Sequence, residues 1–293
     1  MIVVTTPAGQ IGSKVVSELL AADVAFKVIA RDGDKLPEQV RDAADVVSGS
    51  HGDPAVLAQA LDGADALFWV APPDTSKTLE ATYLDFTRPA VDAIRQHGVR
   101  RVVTITALGR GTEWQHKAGL VSASMGMVDL LMSSGAALRG LAMPSFMENT
   151  ARQVGAMKDK GLFFGPIDPD RKLPFTATRD MGATAARVLL DDSWTGQNEL
   201  PILGPEDLSF KDQAAIISEV TGREIRYQQV GWDQFKQQFL DRGATESFAQ
   251  GYVDMYRAKD EGIDNVAERQ ADLKAPTSFR QFAEEQIKPA LAG

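Results

Sequence analysis

The sequence of 293 residues contains no cysteine, which excludes disulfide bonds, thiolate nucleophiles and thiolate metal sites. Histidine is also scarce, and His51, His97 and His116 are scattered without metal-ligand spacing. The formal net charge is −9, and no run of lysine or arginine supplies the basic face that nucleic acid binding requires. We therefore predict no protein-bound metal and no nucleic acid partner.

Long apolar runs and targeting signals are missing as well. No stretch of about 20 apolar residues is present, and no secretory signal pattern is found. The absence of cysteine suits a reducing compartment. We expect a soluble, cytoplasmic protein without a membrane partner.

What the sequence does contain is a glycine-bearing turn within its first twelve residues. A β-branched run over residues 2–4 precedes this turn and is typical of a buried strand. Apolar residues recur at helical spacing just beyond it, at Ile11, Val15, Val16, Leu19 and Leu20. The free amides and the positive dipole end of such a helix attract a pyrophosphate, although similar turns also occur in proteins that bind nothing.

Three positions of this turn carry the prediction. Gly9 lets the backbone approach the phosphates, and Gly12 lets the helix pack tightly on the strand. Thr6 stands where the spacing G-x-x-G-x-x-G has its first glycine, which narrows the allowed backbone angles. The turn therefore predicts a dinucleotide-binding site.

Short apolar runs alternate with helical patterns over the first 145 residues, which indicates a parallel sheet with helices on both faces. Strands are predicted over residues 2–5, 26–30, 45–48, 66–70, 101–106 and 137–143. The right-handed crossover rule makes the topology doubly wound. A ligand is then expected beyond the carboxyl ends of the strands.

We predict an α/β protein with a doubly wound parallel Rossmann sheet and a smaller, mainly helical C-terminal substrate lobe. Residues 1–149 form the predicted sheet domain, onto which residues 176–203 pack back, and residues 150–175 and 204–293 form the lobe. Within these parts, helices are predicted over 181–190, 210–220, parts of 232–260 and 279–291, and a strand over 224–230. Asp180 is predicted to be a helix N-cap.

Arg31 follows the second predicted strand, about 20 residues beyond the turn, where NAD-specific proteins place an acidic residue. Its planar guanidinium can grip the 2′-phosphate of NADP, and Lys35 is near enough to add charge. Because Asp32 and Asp34 partly neutralise this segment, a solvated arginine at the start of a loop is the alternative. We predict that NADP is preferred over NAD.

Two further strand ends offer groups to a ligand. Pro72 and Pro73 follow Ala71 at the end of the fourth strand, where they turn the chain away over the cofactor or simply end the strand. Thr106 ends the fifth strand and can offer a hydroxyl to the nicotinamide ribose or the substrate. An ordinary strand threonine is the alternative there.

Four segments, taken in order, resemble the NmrA-like branch of the atypical short-chain dehydrogenases/reductases. They are TTPAGQIG at 5–12, ADALFWVAPP at 64–73, GVRRVVTIT at 98–106 and MPSFMEN at 143–149. The resemblance runs through nearly the whole chain and is strongest to bacterial NAD(P)H quinone reductases and triphenylmethane dye reductases. It implies an NAD(P)-binding Rossmann domain with Gly9, Gln10 and Ile11 at the pyrophosphate. Other residues predicted at the cofactor are Thr6, Ala8, Gly12, Arg31, Ser50, Ala71, Pro72, Pro73, Thr106, Pro144 and Phe146.

The chain departs from the short-chain dehydrogenase pattern where a proton donor would be expected. No tyrosine is followed by lysine at the Tyr-x-x-x-Lys spacing, and Ser124 stands where many NmrA-like reductases have lysine or histidine. Thr106, Ser124, His116 and Lys117 are the candidate catalytic residues. For His116 and Lys117 a solvated loop is the alternative.

Several aromatic or soft residues lie near predicted loops and suit a flat apolar substrate, namely Trp114, Phe146, Met147, Phe163 and Phe164. Core packing is the alternative for each of them.

The predicted function is an NAD(P)H-dependent reductase that passes hydride to a quinone-like or other conjugated small molecule, for which water can complete the proton transfer. A non-enzymatic redox sensor that binds NADP(H) is the alternative. A nucleotide-sugar epimerase or dehydratase would need the missing tyrosine-lysine pair. A homodimer is a possible assembly.

Overall fold

The structure, a computed structural model, describes residues 1–270, 273 and 275–292, and within them a large parallel sheet is flanked by helices. The strands are β1 Ile2–Thr5, β2 Phe26–Ala30, β3 Asp45–Ser48, β4 Ala66–Trp69, β5 Arg101–Ala107, β6 Ala137–Met143, β7 Ser145–Phe146, β8 Leu162–Gly165, β9 Leu173–Thr176, β10 Gln197–Pro201, β11 Asp207–Leu208 and β12 Arg226–Gln229.

The helices in the same part of the chain vary widely in length. They are α1 Gly12–Ala21, α2 Glu38–Ala43, α3 Pro54–Leu61, α4 Arg88–His97, α5 Leu120–Met132, α6 Glu148–Ala151, α7 Val154–Lys160, α8 Thr178–Leu190, α9 Phe210–Thr221, α10 Trp232–Leu240, α11 Glu246–Asp260, α12 Phe279–Phe282 and α13 Lys288–Ala292. None of the described helices is both long and apolar enough to cross a membrane.

The central sheet has the strand order β10-β6-β5-β4-β1-β2-β3, and each neighbouring pair in it is parallel. The chain runs outward from β1 to β3, crosses back, and continues outward through β4, β5 and β6. This arrangement confirms the predicted doubly wound Rossmann sheet. The order reverses between β1 and β4, and the crevice at such a reversal is where α/β sheets bind ligands.

All six predicted strands are present with small changes at their ends. β4 ends at Trp69, just before the segment that contains Pro72 and Pro73, and β5 extends to Ala107. The seventh strand of the sheet, β10, was not predicted. Its residues Gln-Asn-Glu-Leu-Pro are mostly polar because it is a partly exposed edge strand, which needs no apolar run.

The sheet buries both of its faces, as a parallel sheet must. Val4 and Phe68 belong to the apolar layer that includes residues of α1 and α8. Val3 and Trp69 belong to the opposite layer, which includes residues of α3, α4 and α5. Alternate residues of β1 and β4 therefore hold the two helical layers in place around the crevice.

The remaining strands and the C-terminal helices form a smaller lobe. β8 pairs in parallel with β12, where the strand over 224–230 was predicted, and β11, β9 and β7 form a small sheet. The core of the lobe includes Phe163, Phe175, Ile217 and Phe279. The predicted helices of this region are present as α9, α10 and α11, with α12 and α13 beyond residue 278.

The structure corrects the prediction that Asp180 is an N-cap. α8 begins at Thr178, so Asp180 lies inside its first turn. The Asp180 carboxylate is buried and accepts hydrogen bonds from the amide and the hydroxyl of Thr277, each at 2.9 Å. The prediction was wrong because the helix begins before its apolar run. The Asp180 carboxylate binds Thr277, which is distant in sequence, and does not cap the helix.

A buried ion pair joins α11 to the turn of 3₁₀ helix that follows it, Ile263–Val266. Lys259 Nζ lies 2.5 Å from Asp264 Oδ2, and both side chains are almost completely buried. Burial raises the pKa of Asp264, which the charge of Lys259 and the backbone amide of Ser145 oppose. The pair therefore ties the end of α11 to the 3₁₀ turn that follows it.

We expect Lys259→Met to lower the free energy of unfolding by about 3–5 kcal/mol, because removal of one partner leaves a buried charge uncompensated. The double variant Lys259→Met/Asp264→Leu removes both charges and should recover most of that loss. Urea unfolding followed by circular dichroism measures both. Equal losses in the single and the double variant would contradict this account of the pair.

Candidate functional site

The glycine turn between β1 and α1 has no room for a side chain at Gly12 and little room for one at Gly9. A Cβ atom at Gly12 would lie 2.1 Å from the Thr6 carbonyl oxygen, and one at Gly9 would lie 3.1 Å from the same oxygen. The Gly9 amide donates a 2.9 Å hydrogen bond to that carbonyl and closes the turn. Thr6 has a φ of 52°, which is unusual for a β-branched residue and costly in conformational energy.

The amino end of α1 presents free backbone donors. The amides of Gln10, Ile11 and Gly12 have no hydrogen-bond acceptor among the described residues, and no side chain caps the helix at Ile11. Such amides, at the positive end of a helix dipole, are the groups that hold a dinucleotide pyrophosphate. The observed cradle therefore fits the predicted ligand.

Arg31, directly after β2, is exposed and makes no ion pair within the described residues. The neighbouring Asp32 is otherwise engaged, since Lys35 Nζ lies 2.9 Å from its carboxylate and the Asp34 amide donates to it at 3.2 Å. The hydrogen bond from Lys35 is the main reason that the pKa of Asp32 is lowered. Lys35 thus neutralises Asp32. The sequence had suggested that Lys35 adds positive charge beside Arg31, and the structure corrects this expectation.

The ends of β3 and β4 are braced by a histidine that sequence analysis did not assign to the site. His51 is buried, its Nε2 lies 3.0 Å from the Val70 carbonyl oxygen, and its ring meets Trp69 and Phe86 edge-on. Burial lowers the pKa of His51, against the effect of the Val70 carbonyl, and Arg31 lowers it further. Ser50, which directly precedes this histidine, is exposed.

Two of the four candidate catalytic residues are brought together. Ser124 Oγ, on α5, lies 3.3 Å from Thr106 Oγ1 at the end of β5. Thr106 is buried and Ser124 is partly exposed, so the pair reaches solvent through the serine.

The other two candidates lie on an exposed loop. Lys117 pairs with Glu113 at 3.0 Å and lies 4.6 Å above the Trp114 ring, and His116 makes no hydrogen bond with a described residue. This is the solvated arrangement that was the alternative for both residues.

The predicted aromatic pocket does not form one surface. Met147 and Phe163 are 1% and 0% exposed in the core of the lobe, so they take the packing alternative and have no surface to offer a ligand. The other three are partly exposed and pack against three different clusters: Phe146 against the sheet core, Phe164 against α10 and α11, and Trp114 against α5 and α11.

Three partly buried tyrosines, two of the lobe and one of the sheet domain, were missed by sequence analysis. Tyr252 and Tyr256 lie one turn apart on α11, and Tyr83 lies in the π-helical turn Ala81–Asp85. None of these phenol hydroxyls has a hydrogen-bond partner among the described residues. Burial raises the pKa of all three, that of Tyr256 to about 12, so each phenol stays protonated at neutral pH and can donate a hydrogen bond.

Comparison with known protein families decides the assignment. The sequence model described as NAD(P)H-binding matches residues 8–161, and the model of the NmrA-like family matches residues 131–284. The chain belongs to the NmrA-like family. The segment matched by the NAD(P)H-binding model contains Gly9, Gly12, Arg31, Thr106 and Ser124.

The relatives of this NmrA-like protein include reductases. It is 29% identical to the NAD(P)H azoreductase of Xenophilus azovorans over 256 residues, which are 87% of this chain and 86% of the relative. Its fold resembles that of the NADPH-dependent quinone oxidoreductase of Escherichia coli in complex with NADPH, at a TM-score of 0.81 and 21% identity, covering 97% of this chain and 99% of the other. It also resembles the Citrobacter sp. triphenylmethane reductase in complex with NADP(H), at a TM-score of 0.80 and 19% identity, covering 98% and 100%.

We expect Gly12→Ala to abolish cofactor binding by this NmrA-like protein, because the added methyl group would displace α1 from the end of β1. Gly155→Ala in α7 is the matched control, since a Cβ there meets nothing within 4 Å. Titration calorimetry with NADPH measures the effect. Wild-type affinity in Gly12→Ala would show that the turn does not require this close approach.

Proposed function

We propose that this NmrA-like protein is an NAD(P)H-dependent reductase that transfers hydride to a quinone-like or other conjugated small molecule. The observation that carries the proposal is the set of unpaired amides at the amino end of α1, in a chain of an NAD(P)H-binding family. The named activities of the azoreductase, quinone oxidoreductase and triphenylmethane reductase relatives support the reaction class.

The residues at the strand ends have distinct binding roles in this proposal. The amides of Gln10 and Ile11 hold the pyrophosphate, while Pro72, Pro73 and Phe146 line the groove toward the nicotinamide end. When bound, a reduced nicotinamide supplies the hydride, and the protein supplies position and a partly dry surrounding.

A hydroxyl pair takes the place of the Tyr-x-x-x-Lys pair, which the sequence lacks. One of the Thr106 and Ser124 hydroxyls donates a hydrogen bond to the other, which leaves one O–H free to orient the nicotinamide ribose or an acceptor oxygen. A quinone or extended dye forms a stabilised anion or neutral product on hydride addition, so water can complete protonation. This chemistry needs no strong acid from the protein.

A panel assay tests the proposal. Purified protein is mixed with NADPH and with quinones, azo dyes and triphenylmethane dyes, and NADPH oxidation and dye bleaching are followed, while calorimetry measures NADPH binding separately. We expect at least one conjugated acceptor to accelerate NADPH oxidation. Tight NADPH binding without turnover of any acceptor would overturn the reductase and favour the redox-sensor alternative.

We further propose that NADPH is preferred over NADH through Arg31. The guanidinium is exposed at the end of β2, and the nearest acid in sequence, Asp32, is bonded to Lys35. An arginine without a carboxylate partner can form two charge-assisted hydrogen bonds to a 2′-phosphate.

We expect Arg31→Asp to weaken NADPH binding about 10- to 100-fold, the loss typical of charged hydrogen bonds, and to leave NADH binding nearly unchanged. The control variant is Arg41→Asp, because Arg41 is an exposed arginine of α2. It changes the net charge by the same amount at a position away from the end of β2. Calorimetric dissociation constants for both cofactors give the comparison. Equal weakening of NADPH and NADH would mean that Arg31 does not contact the 2′-phosphate.

A further inference from the structure

Arg152, at the end of α6, holds a positive charge beside the glycine turn without a carboxylate partner among the described residues. Its Nη2 donates a 2.9 Å hydrogen bond to Gln10 Oε1, and its Nη1 donates a 2.9 Å hydrogen bond to Asn149 Oδ1. Both acceptors are neutral amide oxygens. They orient the guanidinium and leave its charge uncompensated.

The position of Arg152 joins the two halves of the proposed site. Gln10 belongs to the turn whose amides are free, and the charge of Arg152 partly lowers the pKa values of Tyr252 and Tyr256, which burial raises. The Arg152 side chain is exposed and bonded to Gln10 of the turn, and it is near enough to α11 for its charge to act on both tyrosines.

A cavity of about 300 Å³ adjoins the guanidinium, with Gln10, Glu148, Arg152, Phe282 and Gln286 in its wall. Glu148 is the acidic residue of this wall. Its Oε1 accepts hydrogen bonds from the amide and hydroxyl of Thr178, at 2.9 and 2.6 Å, so it is held at the start of α8. Its Oε2 is buried and has no described partner. Glu148 and Arg152 make no ion pair with each other within the described residues.

An arginine fork that is fixed by neutral groups is preorganised for an oxyanion, because the side chain loses little further entropy on binding. Gln10 Oε1 and Asn149 Oδ1 leave other guanidinium N–H groups available, since arginine has five donors.

We propose that Arg152 forms an anion-binding subsite at the rim of the glycine turn. The ligand chemistry is an oxyanion, and two sources can supply it: the pyrophosphate of the dinucleotide, or an acid group carried by the conjugated acceptor. The second source rests on the proposed reductase function, whereas the first rests only on cofactor binding.

The experiment compares wild type with Arg152→Gln and with Arg152→Lys, which keeps the charge and loses the fork. Arg226→Gln is the control, because Arg226 is an exposed arginine on β12 that pairs with Glu224 at 3.6 Å. Calorimetry measures dissociation constants for NADPH, NADH and 2′-AMP, the last of which lacks a pyrophosphate. Steady-state assays measure kcat and KM for a naphthoquinone and for its sulfonate. Thermal unfolding by circular dichroism verifies that each variant is folded.

The two sources give different results. If the pyrophosphate is the ligand, Arg152→Gln weakens NADPH and NADH by the same factor, about 10- to 100-fold, and leaves 2′-AMP unchanged, while Arg152→Lys is intermediate. If the acceptor supplies the anion, cofactor affinities stay constant and KM rises about tenfold for the sulfonate alone.

Unchanged constants for both cofactors and both quinones in folded Arg152→Gln would overturn the subsite and leave Arg152 as a tie between α6 and the turn. Failure of wild type to reduce either quinone would count against the reductase function, and the calorimetric comparison would still test the subsite. The two failures are therefore distinguishable.

Discussion

The close approach of α1 to the end of β1 is the constraint on which the rest of the site depends. A single methyl group at residue 12 would overlap the Thr6 carbonyl oxygen. The helix can therefore start this close to the end of β1 only because residue 12 is glycine. The same approach leaves the Gln10 and Ile11 amides without acceptors and places Thr6 at a positive φ. A strained backbone conformation persists only where the surrounding structure holds it in place. Here the packing on both faces of the sheet holds β1, and with it Thr6.

The reversal of strand order turns this local geometry into a crevice. β2 pairs with one side of β1 and β4 with the other, and the Thr5 hydroxyl joins the strand ends by donating to the Phe68 carbonyl oxygen and accepting from the Val70 amide. His51 braces Val70 from the opposite side. The sheet therefore supplies the strand ends and the glycine turn, and the segment after β7 adds Arg152, which bonds to Gln10 of that turn.

Elements with strong local patterns were predictable from the sequence, and elements defined by distant contacts were not. The six strands before residue 144 have apolar runs because both sides of a parallel sheet are buried, and all six were recognisable. β10 has no such run, since it is a polar edge that pairs only with β6. Asp180 resembled a cap because its partner, Thr277, lies 97 residues further along the chain. Met147 and Phe163 resembled pocket residues because apolar composition does not distinguish core from lining.

By itself, the sequence determined the sheet, its winding and the turn that meets a dinucleotide, because each depends on glycine spacing and on apolar periods within a few residues. It also contained Thr106 and Ser124, but not their pairing. The tertiary structure alone decided that these two hydroxyls lie within 3.3 Å of each other, that Asp32 is bonded to Lys35 and leaves Arg31 free, and that Arg152 reaches Gln10. Such contacts depend on how the helices and the lobe pack on the sheet. Packing brings together residues that are distant in sequence, and no local sequence pattern predicts which of them will meet.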